Sequence, residues 1–252
     1  MTHFLNQYFE QIYVISIKRN AERLESFVKF NPDLMFQVFE GIDGKELFPE
    51  LDHVSKFPKD FFIKHDLSYD RCKLWNKGQL GCAMSNLFLQ RKIVEEKIGN
   101  ALILEDDAFV LNGQYEYLKR AVKELPSNWD LFYLGFNPPS RWSENRFTRG
   151  LLKVKHYLFP KVFEGMSSGS LSNRYFSKNY SKHLNIPGVY GGTHAYALSF
   201  EGARKIVKLD TPLKFGFDTT LMYANYNKLL NSYSLKKPLI IPNSKFQTSL
   251  IN

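Results

Sequence analysis

Residues 101–109 read Ala-Leu-Ile-Leu-Glu-Asp-Asp-Ala-Phe, or ALILEDDAF. The run Ala101 to Leu104 is too short for a helix and apolar without interruption. That is the pattern of a central strand covered on both faces. It ends at once in Glu105, Asp106 and Asp107, so a buried strand delivers three carboxylates at its carboxyl end. Immediately upstream, Gln79 to Lys97 carries Leu80, Ala83, Met84, Leu87 and Val94 at spacings that share one helical face. A long helix feeding a buried strand predicts an α/β fold with a mostly parallel central sheet.

The same alternation extends outward. Ile12 to Ile17 is rich in β-branched residues and reads as a strand, followed by Lys18, Arg19 and Asn20 and by a helical pattern from Ala21 to Phe30. Phe36 to Phe39 reads as a second strand, ending in the turn Gly41-Ile42-Asp43-Gly44, and Asp130 to Gly135 as another buried strand. Between Asn137 and Asn185 the periodicity fades, and nine basic residues stand against two acidic ones. Regular patterning returns with a strand over Ala195 to Ser199, a helix over Glu201 to Leu209 and a last strand over Pro238 to Ile241. The expected organisation is an α/β part over 1–136, a basic aromatic region over 137–190 and a C-terminal part over 191–252 that completes the same domain.

The 252 residues can bury a sizeable core, and 44% hydrophobic with 23% charged residues is globular composition. Lys and Arg number 34 against 25 Asp and Glu, a net +9 that favours anionic partners. No zinc-finger spacing, basic run or RNA-reading aromatic motif accompanies that charge, so nucleic acid is not an expected partner. Aromatic residues reach 15%, a surplus suited to meeting a ring or a lipid. Cys72 and Cys82 form neither a CxxC nor a disulfide framework and read as free thiols of a reducing compartment. The start MTHFLNQYFEQ lacks the pattern of a signal peptide, and no apolar stretch approaches the ~20 residues that span a bilayer. A cytoplasmic protein is expected, with peripheral contact on the cytoplasmic face of the inner membrane.

Three carboxylates crowded at a strand end repel one another and lose solvation near the core. A divalent cation relieves both penalties. Mg²⁺ and Mn²⁺ favour carboxylate oxygens, with phosphate oxygens completing the shell. Ligands of open α/β sheets also sit beyond the carboxyl ends of the strands. The alternative is that Asp106 or Asp107 caps a following helix while Glu105 is solvated.

At this point the sequence resembles glycosyltransferase family 25, whose members build lipopolysaccharide and lipooligosaccharide. ALILEDDAF is similar to the family's acidic metal motif. In order along the chain, YVISIKRNAER (13–23) resembles its opening strand and basic turn, and FEGIDGKEL (39–47) its Ile-Asp-Gly turn. GQLGCAMSNLFLQ (78–90) resembles the helix before the motif, NWDLFYLG (128–135) the next strand, and GGTHAYALSFEGARKI (191–206) the C-terminal block. The similarity runs from about Tyr13 to Ser249 and is poor between Asn137 and Gly188. Where the family often has His, this chain has Asn86, which cannot carry a proton.

The resemblance implies a GT-A-like fold with a nucleotide-sugar-binding part and a smaller acceptor-binding region. Asp107 would hold the metal, Mn²⁺ or Mg²⁺, assisted by Glu105 or Asp106. His194 would be a third ligand or a diphosphate contact, or else a buried His satisfied by backbone. Lys18, Arg19, Arg23 and Asp43 would meet the nucleotide, although Arg23 could instead pair with a nearby acid. Gly81 and Ser85 would let the donor approach, or simply pack their helix. Asp218 would be the base of an inverting transfer, or an N-cap. Arg141, Trp142 and Tyr175 would bind the acceptor. The implied reaction moves a hexose, galactose ahead of glucose, from a UDP-sugar onto an anionic lipooligosaccharide or lipopolysaccharide core, as a β-galactosyltransferase would. Rival readings are a metal-dependent phosphatase or nucleotidyltransferase, and a non-catalytic carbohydrate- or membrane-binding module.

Overall fold

The computed structural model describes residues 3–137 and 176–243. The strands are β1 (Gln11–Ser16), β2 (Gln37–Glu40), β3 (Asn100–Glu105), β4 (Ala108–Val110), β5 (Leu131–Asn137), β6 (Lys178–Asn179), β7 (Leu184–Ile186), β8 (Gly191–Ser199), β9 (Ser232–Leu235) and β10 (Ile240–Pro242). The helices are α1 (Ala21–Phe30), α2 (Lys59–Lys64), α3 (Tyr69–Cys72), α4 (Lys77–Glu95), α5 (Tyr115–Glu124), α6 (Phe200–Leu209) and α7 (Phe217–Tyr226). Among the described residues, no helix is long and apolar enough to cross a membrane.

Eight strands form the main sheet in the order β2-β1-β3-β8-β5-β9-β7-β6, while β4 and β10 pair separately. The pairs β1–β2, β1–β3 and β5–β9 are parallel, and the remaining pairs are antiparallel. Followed across the sheet, six strands point one way and only β8 and β7 point the other, so the sheet is mostly parallel as expected. The reversed β8 sits between β3 and β5, and its beginning therefore lies at the edge where those strands end. In register, Ile15 pairs with Glu105, Leu104 with Ala195, and Asn137 with Gly191. One edge of the sheet thus collects the end of β1, the acidic run, the end of β5 and the start of β8.

Period-two alternation divides the core into two layers. Ile12, Val14, Leu102, Leu104, Phe132 and Leu134 pack on one face with Phe27 of α1 and Leu118 of α5. Tyr13, Ala101, Ile103, Leu131 and Tyr133 pack on the other with Leu89 and Ile93 of α4, Ile206 of α6 and Leu221 of α7. A third cluster, built on Val54, Phe57, Phe62 and Leu67, lies against Leu80, Met84 and Leu87 of α4. It includes α2 and α3, each too short to leave a periodic signal.

The long helix begins two residues earlier than its apolar pattern shows, because Asn76 and Gln79 form a reciprocal capping box. Its first turns are built to receive the turn after β2. A side chain on Gly81 would place Cβ 2.5 Å from the Ile42 carbonyl oxygen and 2.6 Å from the Gly44 nitrogen. Ser85 Oγ donates to the Gly81 carbonyl at 2.6 Å and accepts the Ile42 N–H at 2.7 Å. Backbone cannot retreat from a methyl group as a flexible side chain can. Gly81→Ala is therefore expected to cost about 1–3 kcal/mol of stability. The check is a lowered urea midpoint with an unchanged slope.

Candidate active site

The acidic turn is held from α1. Arg23, Phe27 and Asn31 are spaced four residues apart, so they form one stripe on that helix. Phe27 packs in the core, and the two polar members flank it. Arg23 Nη2 lies 2.7 Å from Asp106 Oδ1 and 3.0 Å from Asp107 Oδ2, with all three side chains buried. Asn31 donates to the Ala108 carbonyl at 3.2 Å and accepts the Val110 N–H at 3.0 Å, which fixes β4 immediately after the turn. From β1, Ser16 Oγ donates to Asp106 Oδ2 at 2.8 Å. The Asn243 N–H donates to the Asp107 carbonyl at 2.8 Å. The acidic run leads into a strand rather than a helix, so neither aspartate is an N-cap.

The strand end sends its carboxylates in different directions. Glu105 continues the alternation of Ala101 and Ile103 and belongs to the α4 and α7 side, whereas Asp106 and Asp107 turn toward α1. Burial, then the charges of Asp107 and Asp218, push the Glu105 carboxyl up to about 8. Burial also raises Asp106 and Asp107, although Arg23 opposes it in both. Asp218 lies in the first turn of α7, after the N-cap Gly216, and its Oδ2 accepts the Gly192 N–H at 2.8 Å. Gly192 has φ +58, and a Cβ there would meet the Asn137 side chain at 2.3 Å. Only glycine turns that N–H toward α7 without strain.

The chain matches the family described as Glycosyltransferase family 25 (LPS biosynthesis protein) over residues 9–221. It belongs to glycosyltransferase family 25. Among curated relatives of this family, procollagen galactosyltransferase 2 of Mus musculus is 20% identical over 255 residues, covering 93% of this chain and 35% of that protein. Inactive glycosyltransferase 25 family member 3 of Homo sapiens is 27% identical over 132 residues, covering 50% of this chain and 22% of that protein. The chain therefore spans about a fifth to a third of the length of these family 25 relatives. Mouse xyloside xylosyltransferase 1, a solved structure, superposes with TM-score 0.39 at 9% identity, covering 88% of this chain and 83% of that one.

Within this family 25 chain, the residues expected at the site meet different fates. Arg23 pairs with the acids of the turn, one of the two roles open to it. Lys18 pairs with Glu40 at 2.8 Å on the surface, and Arg19 with the nearly buried Asp43 at 3.1 Å. These four residues line the same sheet edge as the acidic turn. Gly81 and Ser85 are committed to the Ile42–Gly44 turn, which accounts for them by packing.

His194 takes the backbone-satisfied role. Its Nδ1 lies 2.8 Å from the Gly192 carbonyl oxygen and its Nε2 3.0 Å from that of Ile240. Gly135 leaves the space for the ring, since a Cβ there would stand 2.7 Å from Nε2. Burial lowers the His194 pKa while the two carbonyls oppose that shift; the neutral ring donates to only one of them, and both nitrogens point at backbone oxygens. Arg141, Trp142 and Tyr175 lie outside the described residues.

The three carboxylates of the motif are not gathered at one point. Among the described residues, no three His, Cys, Asp or Glu side chains converge as a metal site. Asp106 has both oxygens engaged, by Ser16 and Arg23. Asp107 differs, because its Oδ1 is buried without a hydrogen-bond partner among the described residues. One guanidinium nitrogen also bridges two carboxylates of the motif. The arrangement therefore fits a divalent cation held at a single carboxylate, with phosphate and water completing its shell.

Sequence reasoning passed over three contributors. Ser16 carried a signal, as a small polar residue closing an apolar strand. Asn31 and Gly135 carried none that could be separated from a helix end and a turn.

The raised Glu105 carboxyl has a consequence for stability. Its folded-state pKa lies above its ordinary 4.5, so the folded chain holds a proton that the unfolded chain releases. Stability from this group is full below 4.5 and is lost as pH rises through about 8. In EDTA, Glu105→Gln should match the parent at pH 4.5 and exceed it increasingly toward pH 8. Urea midpoints across that interval test this; a constant offset between the two proteins would contradict it.

Proposed function

We propose that this chain is a divalent-metal-dependent glycosyltransferase that moves a hexose, galactose ahead of glucose, from a UDP-sugar onto an anionic glycolipid acceptor with inversion. The observation that carries the reading is a buried Asp107 oxygen with no hydrogen-bond partner among the described residues, at the sheet edge that also carries Glu105 and Asp218, in a member of this family. Family membership supports the transferase class. The names of the galactosyltransferase relatives support the donor sugar, and the net charge of +9 supports an anionic acceptor. A GT-A-like arrangement accords with the mostly parallel sheet and the acidic turn at its carboxyl edge.

In this reading Asp107 would hold Mn²⁺ or Mg²⁺, with Oδ1 the oxygen left for it. The bound ion would neutralise the charge that grows on the departing UDP. Arg23 and Ser16 keep the acidic turn in place. Lys18 and Arg19 stand at the end of β1, where their positive charge favours the nucleotide phosphates, and Asp43 fixes the direction of Arg19. Asp218, aimed by the Gly192 N–H, takes the proton of the acceptor hydroxyl as it attacks the anomeric carbon opposite the leaving group. The basic and aromatic stretch with Arg141, Trp142 and Tyr175 meets the acceptor at the cytoplasmic face of a membrane. Asn86 takes no part in proton transfer. Its amide donates to the Cys82 carbonyl and its oxygen accepts from the Tyr196 hydroxyl.

The test is UDP release and new glycan formation across a panel of UDP-sugars and lipooligosaccharide acceptor, with and without EDTA. One UDP-hexose should turn over, and chelation should abolish the signal. Asp107→Ala should reduce turnover to background. Asp218→Asn should lower kcat by about 10²–10⁴-fold while donor KM is kept. Release of inorganic phosphate without a new glycan would instead establish phosphatase chemistry, and full activity in EDTA would remove the metal from the mechanism.

A further inference from the structure

The two aspartates of the acidic turn are not equivalent, and the difference is made by residues far from them in sequence. Asp106 accepts a hydrogen bond from Ser16 Oγ through Oδ2 and forms an ion pair with Arg23 through Oδ1. Asp107 gives Oδ2 to the same Arg23 nitrogen and keeps Oδ1 buried, with no hydrogen-bond partner among the described residues. A carboxylate oxygen withdrawn from water and left unpaired is costly unless something of opposite charge reaches it. The pattern is that of an aimed ligand beside an anchored one.

We infer that Arg23 is a positioning residue that locks Asp106 as a structural anchor and presents Asp107 Oδ1 as the single cation-facing oxygen of the motif. This deepens the metal-dependent reading above and rests on it. One nitrogen bridging two carboxylates sets their relative orientation, because a rotation of either lengthens a contact of 2.7 or 3.0 Å. Ser16, on the parallel neighbour of β3, stops Asp106 from swinging toward the site. Asn31 completes the hold by fixing the backbone on both sides of Phe109. Arg23 also carries a positive charge beside the cation position, so its removal has two opposed effects. Lost repulsion would tighten cation binding, whereas lost orientation would weaken it. The buried geometry makes orientation the larger effect.

The experiment is Mn²⁺ binding to the full chain in the presence of UDP, followed by the loss of the free-ion electron paramagnetic resonance signal, which needs no turnover. Asp106→Asn and Asp107→Asn preserve shape, and each removes one of the two charges paired with Arg23, so the two variants are matched in that respect. Asp107→Asn is expected to lose Mn²⁺ binding, while Asp106→Asn keeps it within about 10-fold of the parent, the mild end of a supporting-residue change. Arg23→Gln is expected to weaken binding by about 10- to 100-fold. Arg23→Lys, which keeps one bridging nitrogen and the charge, should recover part of that loss. Equal loss in the two aspartate variants would overturn the division of roles, and tighter binding in Arg23→Gln would show Arg23 to be a mere counter-charge. A parent protein that takes up no Mn²⁺ would remove the metal-dependent reading itself, and this inference with it.

Discussion

A guanidinium nitrogen of Arg23 between the carboxylates of Asp106 and Asp107 is the contact on which the arrangement of this edge depends. All three groups are buried, and an ion pair broken in such a place leaves a charge that neither water nor protein compensates. The first helix is therefore bound to the acidic turn by more than its apolar face. Its Phe27 fills the core, and its Arg23 and Asn31 hold the segment that leads from β3 into β4. Because α1 comes directly after β1, the same contact keeps the end of β1, with Lys18 and Arg19, beside the end of β3.

The contact leaves an imbalance. One cation cannot neutralise Glu105, Asp106 and Asp107 together, and Asp218 adds a fourth carboxylate within electrostatic reach of Glu105. The excess is unevenly placed. Asp106 has a partner at each oxygen, Glu105 is driven toward its neutral form, and Asp107 has one oxygen without a hydrogen-bond partner among the described residues. An edge that concentrates uncompensated negative charge beyond the strand ends suits a divalent ion carrying phosphates, in accord with the transfer chemistry proposed for this family 25 chain.

Much of the scaffold was legible from periodicity. The helix over 21–30 and the strands around Val14, Leu102, Phe132 and Ala197 reflect apolar runs of the right length, and β3 coincides with the run that ends in the acidic triplet. The reversed strand β8 was legible as a strand but not as a neighbour of β3, since pairing is a property of the sheet and not of the run. The short β6, β7 and β9 and the small helices α2 and α3 escaped notice because too few residues recur to mark a face. Glu105, Asp106 and Asp107 could be read as a site, but not which of them would face a cation.

The sequence alone determined the α/β class, the buried strand that carries three carboxylates to its end, and a set of family motifs in order. These are local properties, set by side-chain spacing and by the order of covalent links. The tertiary structure decided the use of those carboxylates. Strand alternation sends Glu105 to one side of the sheet, and a turn sends its two neighbours to the other, where α1 awaits them. Arg23 lies 83 positions before Asp106, so no spacing rule could join them. Desolvation made the pairing decisive, because charges taken out of water must find partners wherever folding brings them near.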